Sequence, residues 1–124
     1  MALSYHEPTT ELSAETREIH RAITTLVEEL EAVDWYHQRV DVTGDEDLKA
    51  ILVHNRDEEI EHAAMTLEWL RRKMPTFDEE LRTYLFTSQP ITQIEEGAEE
   101  ESETPAPEVG GGSGDDLGVG KLEK

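Results

Sequence analysis

The sequence predicts an all-α chain: an antiparallel two-helix hairpin plus a short third helix, completing a four-helix bundle only on dimerisation. Three observations carry that prediction. Apolar residues recur in alternating steps of four and three over residues 12–33, which is the seam of a packed helix. A second row of helical period runs from Leu48 to Trp69, and a connection of only four to six residues separates the two, as in an antiparallel pair. Finally, roughly ninety residues with two half-apolar helices leave a stripe that one chain cannot cover, so a second copy is expected to cover it.

Each element has its own signal. Leu12, Thr16, Ile19, Ile23, Leu26, Leu30 and Val33 make the seam of the first helix, expected to end at about Arg39. Thr43-Gly44-Asp45-Glu46 reads as a capping box opening the second helix. That helix runs to Arg71-Arg72-Lys73, whose charges suit a C-terminal dipole, and stops before Pro75. Thr76-Phe77-Asp78-Glu79 reads as another capping box, opening a short helix through Leu81, Tyr84, Leu85 and Phe86. Pro90 ends it, and Ile91 to Glu96 add one more turn or two. Residues 1–96 thus form the helical domain.

Residues 97–114 are acidic, then rich in Pro and Gly, with nothing to build a core; they are expected to be a flexible, self-repelling linker. Apolar residues return in 115–124, where Leu117, Val119 and Leu122 are separated by glycines. That spacing suits an extended peptide laid in another protein's groove. It equally suits a frayed tail or a cloning scar ending in Leu-Glu.

Composition excludes several functions. Thirty acidic residues against eleven basic ones give a net charge of −19, which argues against nucleic acid or an anionic membrane as partner and favours cations. Without cysteine there are no disulfides, thiolate metal ligands or thiol nucleophiles, which fits an intracellular protein. No apolar run approaches the roughly 18 residues of a membrane span, and the N-terminus lacks the basic and apolar regions of a signal peptide. A cytoplasmic location is expected.

Drawn at about 100° per residue, Leu48, Leu52, Asn55, Glu59, His62, Thr66 and Trp69 continue one row. Glu59 and His62 therefore occupy a buried arc where Leu or Ile is expected. Their i, i+3 spacing puts a carboxylate and an imidazole one turn apart on one face. Glu-x-x-His is what one helix contributes to a di-iron or di-manganese site in a bundle. On the first helix Glu29 lies with Ala22 and Tyr36 at the edge of the stripe, whereas Glu28 and Glu31 point away from it. An unpaired carboxylate so placed costs on the order of several kcal/mol unless it is protonated, paired or bound to a cation.

One hairpin supplies one Glu from the first helix and Glu-x-x-His from the second, half of what a di-metal carboxylate site needs. Two chains about a two-fold axis would bring four carboxylates, matching two divalent cations. Carboxylate and imidazole donors suit iron or manganese, while structural zinc more often brings cysteines. Tyr36, one heptad after Glu29, is placed to hydrogen-bond a ligand. Alternatives stay open on spacing alone. His62 also suits a core histidine satisfied by Glu58 or Glu59, and Trp35 and Tyr36 also suit plain packing.

The runs Val27–Tyr36 and His54–Leu70, and Leu81–Thr87 with Pro90-Ile91, closely resemble the encapsulated ferritins, the ferritin-like ferroxidases packaged inside encapsulin nanocompartments. Leu117-Gly118-Val119-Gly120-Lys121-Leu122 resembles the Leu-Gly-x-Gly-x-Leu peptide that anchors such cargo to the shell, with Lys121 where Ser is common. The resemblance implies a ferritin-like fold, an iron cofactor as a di-iron centre shared by two subunits, and oxidation of Fe²⁺ to Fe³⁺ for mineralisation in the compartment lumen. It aligns Glu29, Glu59 and His62 with the ferroxidase ligands. Glu28 and Glu31 align with a carboxylate gateway for incoming metal, where calcium and other divalent cations also bind adventitiously. His54, Glu58 and Glu61 align with peripheral metal contacts, and Trp35 and Tyr36 with aromatic neighbours of the centre. It also implies a decameric ring of dimers and an encapsulin shell protein as partner.

Two other classes compete with this reading. One is a metal-free helical scaffold or adaptor recruited by its C-terminal tail. The other is a different di-metal oxidase or peroxidase of the ferritin-like group. A haemerythrin-like oxygen carrier would need more histidines than the seam supplies.

Overall fold

The computed structural model describes residues 3–103. The regular elements among them are all helical: a 3-10 turn at Thr9–Glu11, then α1 (Ala14–Val42), α2 (Glu46–Lys73), α3 (Pro75–Tyr84) and α4 (Ile91–Glu103). None is long and apolar enough to cross a membrane. The chain divides into two compact units, Met1–Asp78 and the residues from Glu79 onward. The remainder of the expected linker after Glu103, and the tail with Leu117, Val119 and Leu122, lie outside the described residues.

Local chemistry sets the ends of the helices. Ser13 caps α1, its hydroxyl accepting from the Thr16 N–H at 3.0 Å. Arg17 donates to the carbonyls of Thr9 (3.2 Å) and Leu12 (2.6 Å), tying the incoming turn to the helix. α1 continues past the expected end at Arg39 to Val42, because no helix breaker intervenes before Gly44. The residue that caps α2 is Asp45 and not Thr43. Its carboxylate accepts from the Leu48 N–H at 2.9 Å, while Thr43 closes α1 and its hydroxyl accepts from the Asp45 N–H at 3.3 Å. A carboxylate there also answers the positive end of the helix dipole, which a hydroxyl does not.

Differences from the sequence reading gather in the second unit and at its approach. α3 opens at Pro75, not after Thr76, since proline in the first helical position gives up only an N–H that would be orphaned anyway. It closes at Tyr84, short of Leu85 and Phe86. Phe86 has φ 61° and is 86% exposed, a left-handed conformation that costs a non-glycine residue about 1–2 kcal/mol. The Thr87 hydroxyl donates to the Tyr84 carbonyl at 2.8 Å and so satisfies part of that end. α4 is longer than the one or two turns expected and absorbs the start of the anticipated linker, Gly97 included. Its Glu and Ala residues are strong helix formers, and one interior glycine costs only about 1 kcal/mol. Within this unit Tyr84 is pushed up by burial and by the carboxylates of Glu95, Glu80 and Glu99.

Two side-chain contacts show α1 and α2 to be antiparallel: Glu29 meets Thr66, and His37 meets Arg56, so advancing along one helix retreats along the other. Among the described residues this pair buries only Leu52, Ala63 and Leu70. Ile19, Ile23, Leu26 and Val33 of the expected seam are half-buried, but Leu30 is 53% exposed and Leu48 is exposed as well. Ile51, Ile60 and Met65 on α2 stand in solvent too. One helix can cover only one side of another, so each keeps an apolar flank.

At the end of α2, Arg71 donates to both oxygens of Glu68 at 2.8 Å and to Asp78 in the first turn of α3. Arg72 adds a 2.7 Å bond to Glu68. Hydrogen bonds from Arg71, then Arg72, hold the Glu68 carboxyl down at about 2.

Leu70 is the largest fully buried side chain. Leu70→Ala should lower the unfolding free energy by about 2–5 kcal/mol, as cavity-forming core changes do; a urea midpoint equal to that of the parent would contradict this core. Because the folded-state value of Glu68 is depressed, its contribution is fully present above the ordinary carboxylate range. It is lost as pH falls through that range towards 2. Glu68→Gln should therefore melt below the parent at pH 6, with the two curves converging by about pH 2; a gap that persists in acid would refute the linkage.

Candidate metal centre

The α1–α2 seam brings together residues far apart in sequence. Glu29 is half-buried on α1, and its Oε1 accepts a hydrogen bond from the Thr66 hydroxyl of α2 at 3.0 Å. One turn earlier on α2, His62 presents Nδ1 to Glu59 Oε1 at 3.6 Å and Nε2 to Glu58 Oε1 at 3.9 Å. Two turns back from His62, His54 Nε2 lies 3.9 Å from the other oxygen of Glu58. Carboxylate and imidazole thus alternate along one flank of α2, with Glu29 reaching in from α1.

Neither Glu59 nor His62 is buried as the row predicted. The Glu59 side chain is 27% exposed and that of His62 42%. The reason is the one that exposes Leu30: a hairpin supplies one covering helix, and α1 covers this flank of α2 only in part, at the turn where Glu29 meets Thr66. Among the described residues no group of three or more His, Asp or Glu side chains is close enough to hold a metal ion. A single chain presents Glu29, Glu59 and His62 on neighbouring turns without closing them into a cage.

The other residues singled out by sequence fall around this flank. Glu28, His54, Glu58 and Glu61 are exposed, and Glu31 is half-buried. Trp35 is exposed on α1, while Tyr36 is half-buried with the Arg39 guanidinium 5.3 Å from its ring centre. Sequence reasoning placed Thr66 in the row but gave it no role. A β-branched hydroxyl residue at an apolar position opposite a lone carboxylate was the available signal. It also passed over the second inter-helix contact, Arg56 to His37 Nδ1 at 3.2 Å.

Two carboxylates and an imidazole fit a divalent cation of the harder kind. In the contacts described above their neighbours are Thr66, Glu58 and one another, not a lysine or arginine. No lysine or arginine in that set offsets the carboxylates, so a bound cation would.

The sequence profile of the EncFtn-like family matches residues 4–88. The chain belongs to that family. It is 58% identical over 125 residues to the ferritin-like protein of Thermotoga maritima, with 98% of this chain and 100% of the relative covered. To the encapsulated ferritin-like protein of Rhodospirillum rubrum it is 56% identical over 126 residues, covering 97% of this chain and 88% of the relative. The crystal structure of protein ne0167 from Nitrosomonas europaea superposes with a TM-score of 0.69 at 67% identity, over 71% of this chain and 97% of that one. The all-helical, ferritin-like fold expected from sequence is therefore the fold of this EncFtn-like chain. The family match spans Glu29, Glu59, His62 and all their named neighbours, and it ends before α4 begins.

Proposed function

We propose that this protein is a ferroxidase that takes Fe²⁺ as substrate at a site completed by two copies of the chain. The observation that carries the reading is the placement of Glu29 against the α2 flank one turn from His62, with Glu59 beside it, all partly open to an approaching partner. Facing copies supply Glu29, Glu59 and His62 twice, the donor set of a di-iron carboxylate centre. Membership of a family whose relatives are named ferritin-like supports the same reading.

The chain's own residues have definite tasks. Glu29 and Glu59 compensate cation charge, and the imidazole of His62 adds a nitrogen donor. When two Fe²⁺ ions are bound, each gives up one electron; dioxygen accepting both, with two protons, leaves as hydrogen peroxide, and hydrogen peroxide accepting both, again with two protons, leaves as two waters. The acidic surface raises the local concentration of cations. Glu28 and Glu31 act as a gateway on α1, where calcium also binds. His54, Glu58 and Glu61 hold metal peripherally, and Trp35 and Tyr36 border the centre.

The same reading includes the assembly. Dimers join in a decameric ring, and Leu117, Val119 and Leu122 dock the protein to an encapsulin shell protein. Fe³⁺ is then mineralised in the lumen of that nanocompartment, within the cytoplasm. The name of the Rhodospirillum rubrum relative, encapsulated ferritin-like protein, supports this part.

Replacing Glu29, Glu59 or His62 by Ala should cut the initial rate of Fe²⁺ oxidation, followed by ferric absorbance, by about a hundredfold or more. That is the upper end of what losing a merely supporting residue costs a metal site. Parental rates in all three variants would refute the site. Because the donors come from two chains, metal binding is coupled to assembly. Light scattering should find smaller particles after metal removal and recovery on adding Fe²⁺; identical size in both states would contradict the coupling.

A further inference from the structure

We infer that Thr66 is a positioning residue for Glu29, holding its carboxylate ready for a divalent cation; the inference rests on the reading of Glu29 as a metal ligand. The Thr66 hydroxyl has one proton and two acceptors within reach: Glu29 Oε1 at 3.0 Å and the His62 carbonyl oxygen at 3.1 Å. The second contact is the ordinary local one for threonine inside a helix. It would satisfy the hydroxyl without any partner on α1. The His62 carbonyl, however, already accepts the backbone N–H of Thr66 in the helical ladder. Glu29 is the stronger acceptor, because a hydrogen bond to an ionised carboxylate is shorter and stronger than one to a neutral carbonyl.

This arrangement has two consequences for binding. Glu29 has several rotatable bonds, and the hydroxyl fixes one of its oxygens against α2, leaving Oε2 for another partner. Part of the ordering cost is thereby met before a cation arrives. The hydroxyl also keeps a second acceptor in reach. If the cation takes Oε1, the proton of Thr66 turns to the His62 carbonyl at 3.1 Å, and no buried donor is orphaned. Thr66 stands one turn from His62, so a single side chain links the carboxylate of α1 to the turn of α2 that carries the imidazole.

The test uses the full-length assembled protein and Co²⁺ alone as probe, titrated through its visible absorbance. Thr66→Val keeps the shape and removes the hydroxyl; Thr66→Ser keeps the hydroxyl and removes the methyl group. Thr66→Val should weaken Co²⁺ binding by about tenfold, the lower end of what loss of a ligand's hydrogen-bonding partner costs, while Thr66→Ser binds as the parent does. Parental affinity in Thr66→Val, or equal weakening in Thr66→Ser and Thr66→Val, would overturn the inference. Glu29→Gln separates this from failure of the site itself. A large loss in Glu29→Gln with none in Thr66→Val sinks only the role of Thr66. Parental binding in Glu29→Gln sinks the ligand reading and this inference with it.

Discussion

A pair of antiparallel helices has one shared seam, and here that seam buries no more than Leu52, Ala63 and Leu70 among the described residues. Leu30, Leu48, Ile51, Ile60 and Met65 are left in solvent on helices that would otherwise read as core. Burying apolar area is the main source of folding free energy, and a chain that spends so little of it alone is incomplete in energetic terms. The flank left open carries the chemistry as well, since Glu59 and His62 lie on it. On the proposed reading, packing and metal donors are short of the same thing, a facing surface with apolar and acidic residues in matching rows.

Charge sharpens this constraint. A chain with a net charge of −19 repels its own copies, and bringing acidic flanks together without compensation is unfavourable. The Arg71–Glu68–Asp78 cluster shows how the fold meets the same problem locally, with a cation placed between carboxylates where α2 hands over to α3. Along the open flank the pairs are His54 with Glu58 and His62 with Glu58 and Glu59, and no guanidinium takes part in them. On the proposed reading metal cations do there what Arg71 does at the helix junction. Stability, assembly and catalysis then share one set of residues.

Much of this was legible from the letters alone. The two long helices follow from a repeat of three and four, and the Glu-x-x-His spacing marked the flank that the structure leaves open. Burial was misjudged because helical periodicity gives the direction of a side chain but not whether anything lies opposite. Leu30 points along the stripe and yet is exposed in a single chain, and Glu59 and His62 are only half-buried there. The cap of α2 was placed on Thr43 for a local reason: Thr-x-x-Glu is the capping-box spacing, and only backbone geometry shows that Thr43 ends α1 while Asp45 opens α2. The length of α4 was missed because Gly97 and a run of glutamates look like linker, although one glycine among good helix formers does not stop a helix. Thr66 escaped notice since its partner, Glu29, is remote in sequence.

The central claim is that one chain holds half a metal site and that a second copy completes it. Native mass spectrometry of the protein loaded anaerobically with Fe²⁺ tests this most directly, because it reads chain number and metal number in the same ion. The account predicts tightly held iron in pairs on species with an even number of chains, and single chains that keep none. Single chains that retain iron as firmly as the paired species do would contradict it.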